Sequence, residues 1–324
     1  MSLTRREKLV GIVVSLPTFT DADHTVLLDP LRKHIRWLIG KGLVTGSAVL
    51  MGSAGLGEGY FLTDDEFRAI TDALAEAADG QVATMVGIFD LSARAAAEKA
   101  RYAAKAGIDF IQLALPHYMA PSERDVLNHF RYVHDAADIG IMAYNIPWAM
   151  PAPGFDLTRG LFEEFTRMPN VVGVKWACHN IQHYLRMLRI YGERLNFIDN
   201  LIIFSLGMRL GAAGYIDWHA NAAPRLSLTF WELLRARRYD EFDALWARLR
   251  FDPALNVVAP EQQSWVGVGE GPTARLTLKL LGVDTGPFFP AQAAMPPSYE
   301  TAVRAAFDSS GIREWVDWTP DVIR

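Results

Sequence analysis

Lys175 has the residue type and the surroundings of a nucleophile that forms a Schiff base. It follows the run Val171 to Val174 and precedes Trp176, so its neighbours along the chain are apolar. Burial of an amine disfavours its charged form, lowers its pKa and frees the lone pair that attacks a carbonyl carbon. A lysine at the end of an apolar run can instead extend to the surface and stay solvated. This segment alone leaves both interpretations open.

Tyr144 could assist such a lysine. It ends another apolar run and is followed by Asn145-Ile146-Pro147, where the proline fixes the outgoing turn. Imine formation passes through a carbinolamine that must lose water, and a well-placed phenol can shuttle the proton. A tyrosine at a strand end also fits a packing role with a satisfied hydroxyl. The combination of Tyr144 with Lys175 favours the chemical role.

A glycine-rich stretch and a histidine provide further candidates. The stretch Gly52 to Glu58 contains three glycines, which allow backbone amides to converge on an anion such as a carboxylate. A plain turn is the alternative. Asp217 and His219 lie near the end of a later apolar run, and His219 could serve as a second acid or base. A structural, solvated histidine is the favoured interpretation there.

Two patterns that could indicate a metal or a cofactor are weak. His179 and His183 lie four residues apart, but no third ligand and no zinc-motif glutamate accompany them. A solvated helix face is therefore favoured. The stretch Val266 to Gly271 resembles a dinucleotide loop, but its glycine spacing fails and no strand precedes it, which indicates a turn. We expect neither a metal nor an organic cofactor.

The elements that must position these residues are short apolar runs alternating with longer amphipathic segments. Such alternation predicts a parallel sheet with right-handed crossovers, and about eight runs is the number that a closed barrel uses. In a parallel barrel the catalytic groups sit at the carboxyl ends of the strands, where Tyr144 and Lys175 lie. The predicted strands are residues 11–14, 46–50, 82–86, 110–115, 139–143, 171–174, 195–198 and 214–218.

Capping signals mark the intervening helices. Thr63 and Glu66 have the spacing of a capping box, and Ser92 can cap the next helix. Gly107 and Gly192 can supply the left-handed turns that end helices. From about residue 227 the strand rhythm stops, so we predict a (β/α)8 TIM barrel over residues 1–226 and a C-terminal helical extension over residues 227–324.

Composition excludes several classes of function. The chain has 324 residues, is 50% hydrophobic and carries a formal charge of −5 without a basic block, so nothing provides the footprint that nucleic acid requires. No apolar run reaches the roughly 18 to 20 residues of a membrane-spanning helix. Cys178 is the single cysteine and no export signal opens the chain, so we expect a cytoplasmic protein without a disulfide.

Five motifs, in order, give the chain a family resemblance. They are Gly55-Leu56-Gly57-Glu58 with Leu62-Thr63, Pro116-His117-Tyr118, Tyr144-Asn145-Ile146-Pro147, Gly173-Val174-Lys175, and Ala220-Asn221 with Pro224. The chain thereby resembles the dihydrodipicolinate synthase and N-acetylneuraminate lyase superfamily over about residues 10 to 300.

The resemblance implies a set of roles and an assembly. In that superfamily a lysine forms an imine with pyruvate or a related 2-keto acid, a tyrosine shuttles protons, and glycine-loop amides hold the keto-acid carboxylate. These roles fall on Lys175, on Tyr144, and on Gly55 and Leu56, while Tyr118 matches a tyrosine that reaches a neighbouring subunit. The resemblance also implies a (β/α)8 barrel with three C-terminal helices in a homotetramer built from two tight dimers.

Departures from the synthase pattern argue against one substrate. The synthases have two threonines where this chain has Gly55 and Leu56, and Leu56 has no hydroxyl to pass a proton to Tyr118. They also have an arginine two residues after the proline of the Tyr-Asn-x-Pro turn, where this chain has Trp148-Ala149. Recognition of aspartate semialdehyde is therefore disfavoured. Apolar Leu56, Trp148 and Met150 favour a substrate whose distal part is uncharged or aromatic.

The sequence thus predicts a class I lyase acting on a small-molecule 2-keto acid, either an aldolase or a 2-keto-3-deoxy acid dehydratase. Lys175, Tyr144 and Tyr118 are the candidate catalytic residues, and Gly55, Leu56, Ile216 and His219 the candidate substrate contacts. The alternatives are 4-hydroxy-tetrahydrodipicolinate synthase, a non-catalytic keto-acid-binding relative, and a metal-dependent aldolase. We expect a homo-oligomer, a tetramer or a dimer.

Overall fold

Eight parallel strands close into a barrel in the order of the chain, which confirms the predicted TIM barrel. The computed structural model describes residues 3–118, 120–150, 155–249, 270–292 and 294–324. Each predicted apolar run overlaps one strand, and the two differ by at most two residues at either end. The strands are β1 (Gly11–Ser15), β2 (Ala48–Gly52), β3 (Ala83–Ile88), β4 (Phe110–Ala114), β5 (Gly140–Tyr144), β6 (Val171–Trp176), β7 (Asn196–Asp199) and β8 (Gly214–Asp217).

Helices follow the strands and form the outer layer. Thr63 and Glu66 make the predicted capping box, and the Ser92 hydroxyl accepts from the Ala95 amide. Gly107 adopts φ +87 as predicted, but Gly192 has φ −59, so the left-handed turn predicted there is wrong. The helices up to β8 are α1 (Arg5–Lys8), α2 (Leu28–Gly40), α3 (Asp64–Ala78), α4 (Ala93–Lys105), α5 (Glu123–Ala136), α6 (Arg159–Phe165), α7 (Ile181–Tyr191) and α8 (Phe204–Arg209).

Alternation along the strands divides the core into two parts. Val13, Met85 and Ile198 belong to a cluster with buried members from β1 to β7, against which Ile216 of β8 packs. Their neighbours along the chain pack against the helices. Successive side chains of a strand point to opposite faces, so this cluster fills the barrel and the larger one lies between strands and helices. We call the first the interior cluster. Functional side chains above it must therefore come from the carboxyl ends of the strands.

The C-terminal region is helical, as predicted. Within the described residues its helices are α9 (Pro224–Arg235), α10 (Tyr239–Leu249), α11 (Glu270–Leu280) and α12 (Pro297–Ser310). α9 contacts β1 and spans the predicted division between residues 226 and 227, so that domain boundary stays a prediction. Val266 to Gly269 of the glycine-rich stretch lie outside the described residues. No helix in the described ranges has the length and apolarity needed to cross a membrane.

Gly11 tests how tightly the barrel is closed. Gly11 and Gly46 adopt similar backbone angles, φ +90 and +94, but a Cβ on Gly11 would lie 2.2 Å from the Ser47 carbonyl oxygen, whereas a Cβ on Gly46 would meet nothing within 4 Å. We expect Gly46→Ala to lower the free energy of unfolding by about 1–2 kcal/mol, the cost of a left-handed alanine. Gly11→Ala should cost about 4 kcal/mol or more, because backbone must move. Urea unfolding of both variants measures the difference, and equal losses would contradict the close approach.

Candidate active site

The register between β5 and β6 places Tyr144 opposite Lys175. Ile141 pairs with Val171, but Met142 pairs with Gly173, so β6 carries one extra residue, Val172, at a bulge. The bulge displaces the pairing by one position for the rest of the strand. Without it Val174 would lie opposite Tyr144, and Lys175 would point to the opposite face.

Lys175 and Tyr144 form one buried pair at the carboxyl ends of these strands. The Lys175 Nζ atom lies 4.0 Å from the centroid of the Tyr144 ring. Each of the two residues is 2% exposed. The structure therefore places Lys175 in the protein interior and not at the surface, against the face of an aromatic ring that attracts a cation.

Asn145 fixes the two strand ends relative to each other. Its amide Nδ2 donates to the Ala177 carbonyl oxygen at 2.6 Å and to Asp156 Oδ1 at 2.8 Å, and its Oδ1 accepts from the Leu157 amide. The backbone amide of Asn145 also donates to the Lys175 carbonyl oxygen at 3.2 Å. Asn145 is completely buried, so these bonds hold the backbone on either side of the pair. The sequence placed Asn145 in a motif, but its partners come from other segments.

The glycine-rich stretch after β2 is folded tightly around Ser53, which has φ +51. A Cβ on Gly59 would lie 1.8 Å from the Ser53 carbonyl oxygen, and a Cβ on Gly87 would lie 2.5 Å from the same atom. Within the described residues, the backbone amides of Gly55 and Leu56 donate no hydrogen bond. Paired amides without internal acceptors are suited to an anion. We call residues 53–59 the glycine loop.

An apolar patch borders Tyr144. Ala114 and Ile146 pack against it, and the ring of Phe89 meets the Tyr144 ring edge to face at 6.5 Å. Tyr60, which is 41% exposed, meets Phe89 in the same way at 5.7 Å. The aromatic surface thus runs from the buried pair outward. The sequence reasoning missed Phe89, because nothing in its local sequence indicates which strand end it would meet.

Leu56, Trp148 and Met150 were expected to make the mouth of the barrel apolar. Leu56 and Met150 are each 8% exposed and belong to the core between strands and helices. The side chain of Trp148 lies outside the part of the structure that is described. The apolar character beside Tyr144 comes instead from Phe89 and its neighbours.

Two further candidates differ in exposure, since Ile216 is partly buried and Tyr118 is exposed. Ile216 pairs with Val13 and packs against the interior cluster, inside the barrel. Tyr118 follows β4 and is 82% exposed, so its ring extends away from the protein surface. The structure brings together Lys175 and Tyr144, and it leaves Tyr118 available for contact with another chain.

His219 lies on the helical side of β8. Its Nδ1 is 2.9 Å from Asp217 Oδ1, and its ring lies 4.1 Å from that of Trp218 and 6.2 Å from that of Trp246 in α10. Burial raises the pKa of Asp217, but His219, Ser227 and the His219 amide outweigh it and leave that pKa below its ordinary value. These contacts describe a buried pair that joins β8 to the outer helices, so the role of His219 as a substrate contact stays a prediction.

The histidines considered for a metal are separated. Asn180 caps α7, so His179 precedes the helix on which His183 lies. His183 Nε2 is 2.8 Å from the Leu157 carbonyl oxygen, and His179 Nδ1 is 3.9 Å from Asp156 Oδ2. Within the described residues there is no group of three or more His, Cys, Asp or Glu side chains that could hold a metal ion.

Comparison with known proteins assigns the chain to a family. Residues 8–250 match the model of the dihydrodipicolinate synthetase family. The chain belongs to this family. It is 30% identical over 200 residues to 4-hydroxy-tetrahydrodipicolinate synthase from Bradyrhizobium diazoefficiens, covering 61% of this chain and 65% of that enzyme. It is also 30% identical over 283 residues to "Probable 4-hydroxy-2-oxoglutarate aldolase, mitochondrial" from Emericella nidulans, covering 83% and 90%.

Solved structures show the same fold. Dihydrodipicolinate synthase from Aquifex aeolicus superposes with a TM-score of 0.80 at 20% identity, covering 96% of this chain and 100% of that one. A catalytic-lysine mutant of sialic acid aldolase from Ruminococcus gnavus gives 0.80 at 18%, covering 97% and 99%. At the level of its family, the chain is therefore an enzyme of the lyase type with a TIM barrel.

The family motif Ala220-Asn221 has a structural role at the barrel mouth. Asn221 Nδ2 donates to the Ser15 carbonyl oxygen at 2.9 Å and to the Trp218 carbonyl oxygen at 3.0 Å. Its Oδ1 lies 3.1 Å from His34 Nε2 on α2. The side chain thereby joins the carboxyl ends of β1 and β8. Burial lowers the pKa of His34 to about 4, although the hydrogen bond with Asn221 opposes the shift.

His34 should make stability depend on pH. As pH falls below 6.5, the ordinary histidine value, the unfolded chain takes up a proton that the folded protein accepts only near pH 4. Stability from the neutral ring is thus complete above pH 6.5 and lost toward pH 4. Between about pH 7 and pH 4 the free energy of unfolding should therefore fall by roughly 3 kcal/mol less in His34→Gln than in the wild-type protein.

Urea unfolding of both proteins across this range measures the effect. His129 is also buried with a pKa of about 4, but it is present in both proteins and cancels. Parallel pH profiles would show that His34 is not neutral when folded.

Proposed function

We propose that this protein is a lyase that forms a Schiff base between Lys175 and pyruvate or a related 2-keto acid. The observation that carries the proposal is the buried pair, with Lys175 Nζ 4.0 Å from the Tyr144 ring. Lysine is rarely buried without a purpose, and a desolvated amine is the nucleophile that this chemistry needs. Membership of the dihydrodipicolinate synthetase family supports the same reaction class.

The chemistry assigns one step to each member of the pair. The neutral Lys175 amine attacks the keto carbon and gives a carbinolamine, and the Tyr144 phenol relays a proton to its hydroxyl, which leaves as water. The protonated imine then accepts an electron pair. The pair comes either from the bond between the third and fourth carbons, as the hydroxyl on the fourth carbon loses its proton and becomes a carbonyl, or from a C–H bond at the third carbon, as its proton is removed. The first course is a retro-aldol cleavage, and the second expels a hydroxyl from the fourth carbon. Hydrolysis of the imine returns Lys175.

The glycine loop supports recognition of the keto-acid carboxylate. The Gly55 and Leu56 amides are without acceptors in the described structure, and two such donors fit the two oxygens of a carboxylate. The apolar patch of Ala114, Ile146, Phe89 and Tyr60 supports a distal substrate part that is uncharged or aromatic. This patch favours an aldolase or a dehydratase over 4-hydroxy-tetrahydrodipicolinate synthase, whose second substrate is charged.

We also propose a cytoplasmic homo-oligomer, a tetramer or a dimer. An aromatic ring as exposed as that of Tyr118 is suited to burial in a subunit interface, where tyrosine is enriched. Its place beyond the carboxyl end of β4 would let it reach the mouth of a neighbouring barrel. Cys178, the single cysteine of the chain, is buried and free, consistent with a reducing compartment.

Reductive trapping tests the nucleophile. Incubation with pyruvate and borohydride should add one 1-carboxyethyl group, the reduced imine of pyruvate, to the wild-type protein, and Lys175→Ala should abolish the addition. Lys99→Ala is a matched control, because Lys99 Nζ also lies over an aromatic ring, 5.1 Å from that of Phe67, but is paired with Asp64 and Asp90. The two ion pairs of Lys99 with Asp64 and Asp90 are 3.1 and 2.9 Å long. Intact-protein mass spectrometry measures the added mass in the wild-type protein, in Lys175→Ala and in Lys99→Ala.

The same experiment separates the alternatives. An unchanged wild-type mass would overturn the Schiff-base proposal, and labelling that persists in Lys175→Ala would identify another lysine. A stable adduct with no turnover across aldehydes and 2-keto-3-deoxy sugar acids would indicate a non-catalytic keto-acid-binding protein. Inhibition by a chelator would indicate a metal-dependent aldolase.

Tyr144→Phe separates the ring of Tyr144 from its hydroxyl. The ring face that lies 4.0 Å from Lys175 Nζ is retained, whereas the proton relay is lost. We expect imine formation with pyruvate to slow by about 10²- to 10⁴-fold, with the extent of trapping at long times unchanged. Quenched-flow trapping with borohydride measures this rate. A wild-type rate would assign the relay to another group.

A further inference from the structure

Glu58, the last residue of the motif Gly55-Leu56-Gly57-Glu58 within the glycine loop, has an unusual position for a carboxylate. It is fully buried and has φ +54, in the left-handed region that non-glycine residues rarely adopt. Its backbone amide donates to the Gly55 carbonyl oxygen at 3.0 Å, so its conformation is linked directly to the turn that presents Gly55 and Leu56. A residue in this strained backbone conformation is stable only where the surrounding contacts fix it.

Those surroundings come from the C-terminal region. Arg275 in α11 donates from Nε to Glu58 Oε2 at 2.5 Å, and Gln292 donates from Nε2 to Glu58 Oε1 at 2.6 Å. Arg275 is 4% exposed. Both carboxylate oxygens are therefore held by side chains more than 200 positions away in the sequence. A buried charge without its partner is strongly unfavourable, so each member of this pair depends on the other.

Arg275 is itself fixed in place. Its Nη1 donates to the Thr285 carbonyl oxygen at 2.7 Å, which also accepts from the Thr20 amide at 3.1 Å, and its guanidinium lies 5.0 Å from the Phe289 ring centre. A Cβ on Gly271 would lie 2.2 Å from Glu58 Oε1, so α11 approaches the carboxylate as closely as a glycine permits.

Thr18 holds the loop from the other side. Its hydroxyl donates to the Gly57 carbonyl oxygen at 2.6 Å, and a Cβ on Gly57 would lie 2.7 Å from the Leu16 carbonyl oxygen. The loop is thus clamped between the segment after β1 and the C-terminal helices. Of these contacts, those at Glu58 are the ones that involve charge.

We propose that Glu58 is a positioning residue, through which Arg275 and Gln292 hold the Gly55 and Leu56 amides in the geometry that binds the keto-acid carboxylate. The inference rests on the proposed function, because it assigns the C-terminal region a role in binding that substrate. Glu58 has no contact with the reacting atoms in this arrangement. Its effect is on affinity for the carboxylate and not on the chemistry of the imine.

We call the contacts of Glu58 with Arg275 and Gln292 the anchor. Two variants disturb the anchor by different means. Glu58→Gln removes the charge with little change of shape, and Gly271→Ala displaces the Glu58 carboxylate without changing any charge. Asn196→Ala is the control for lost stability, because it removes buried hydrogen bonds to the Arg6 and Leu9 carbonyl oxygens at the amino end of β7, the opposite end of the barrel. Gln292→Leu is a milder variant that loses one of the two contacts.

The experiment compares pyruvate with methyl pyruvate, a keto compound without the carboxylate charge, in borohydride trapping at a series of concentrations. For both anchor variants we expect the half-saturating pyruvate concentration to rise about tenfold. The value for methyl pyruvate and the extent of trapping at saturation should stay within about twofold of the wild type. Gln292→Leu should show a smaller shift of the same kind, and Asn196→Ala none.

Hydrogen exchange of the peptide covering residues 53–61 provides a readout independent of the adduct. Exchange there should accelerate in both anchor variants and not in Asn196→Ala. Equal shifts for pyruvate and methyl pyruvate, or unchanged exchange in variants that fold, would overturn the positioning role. If the wild-type protein forms no adduct, the proposed function fails as well; an adduct with unchanged pyruvate dependence in the variants overturns this inference alone. Should Glu58→Gln not fold, Gln292→Leu decides by the same criteria.

Discussion

The pairing register between β5 and β6 is the constraint on which the candidate site depends. Side chains alternate between the faces of a strand, so displacement by one residue would turn Lys175 from the inside of the barrel to the outside. The bulge at Val172 sets this register, and the hydrogen bonds of Asn145 to both strand ends preserve it. Burial of the Lys175 amine against the Tyr144 ring is then a consequence of this strand register.

The barrel's closure supplies the rest of the arrangement. Because β8 pairs with β1, Asn221 can reach the Ser15 carbonyl oxygen, and the segments after β1 and β2 come together at one end. The glycine loop is strained at Ser53 and Glu58, and such strain is stable only where the surroundings offset it. At Glu58 the offset comes from a buried ion pair with Arg275, which links the glycine loop to the C-terminal helix α11.

Predictions from the sequence succeeded where they depended on local patterns. Apolar runs identified all eight strands, and the Thr63 and Glu66 capping box and the left-handed Gly107 were correct. Where a local pattern is ambiguous the sequence was less informative. Gly192 ends α7 without a left-handed turn, and His179 lies before the helix it was expected to share with His183. The side chain of Leu56, expected to make the mouth apolar, is 8% exposed and packs in the outer core, and its contact with substrate stays a prediction.

By itself the sequence determined the alternation of strands and helices, the family, and the two residue types that can make and dehydrate an imine, because each of these is encoded in consecutive residues. Only the tertiary structure decided which groups meet. It placed Phe89 against Tyr144, turned His219 toward Asp217 and Trp246, and brought Arg275 to Glu58. Such contacts join residues far apart in the chain, and they depend on strand register, barrel closure and the packing of the C-terminal helices, none of which a local pattern records.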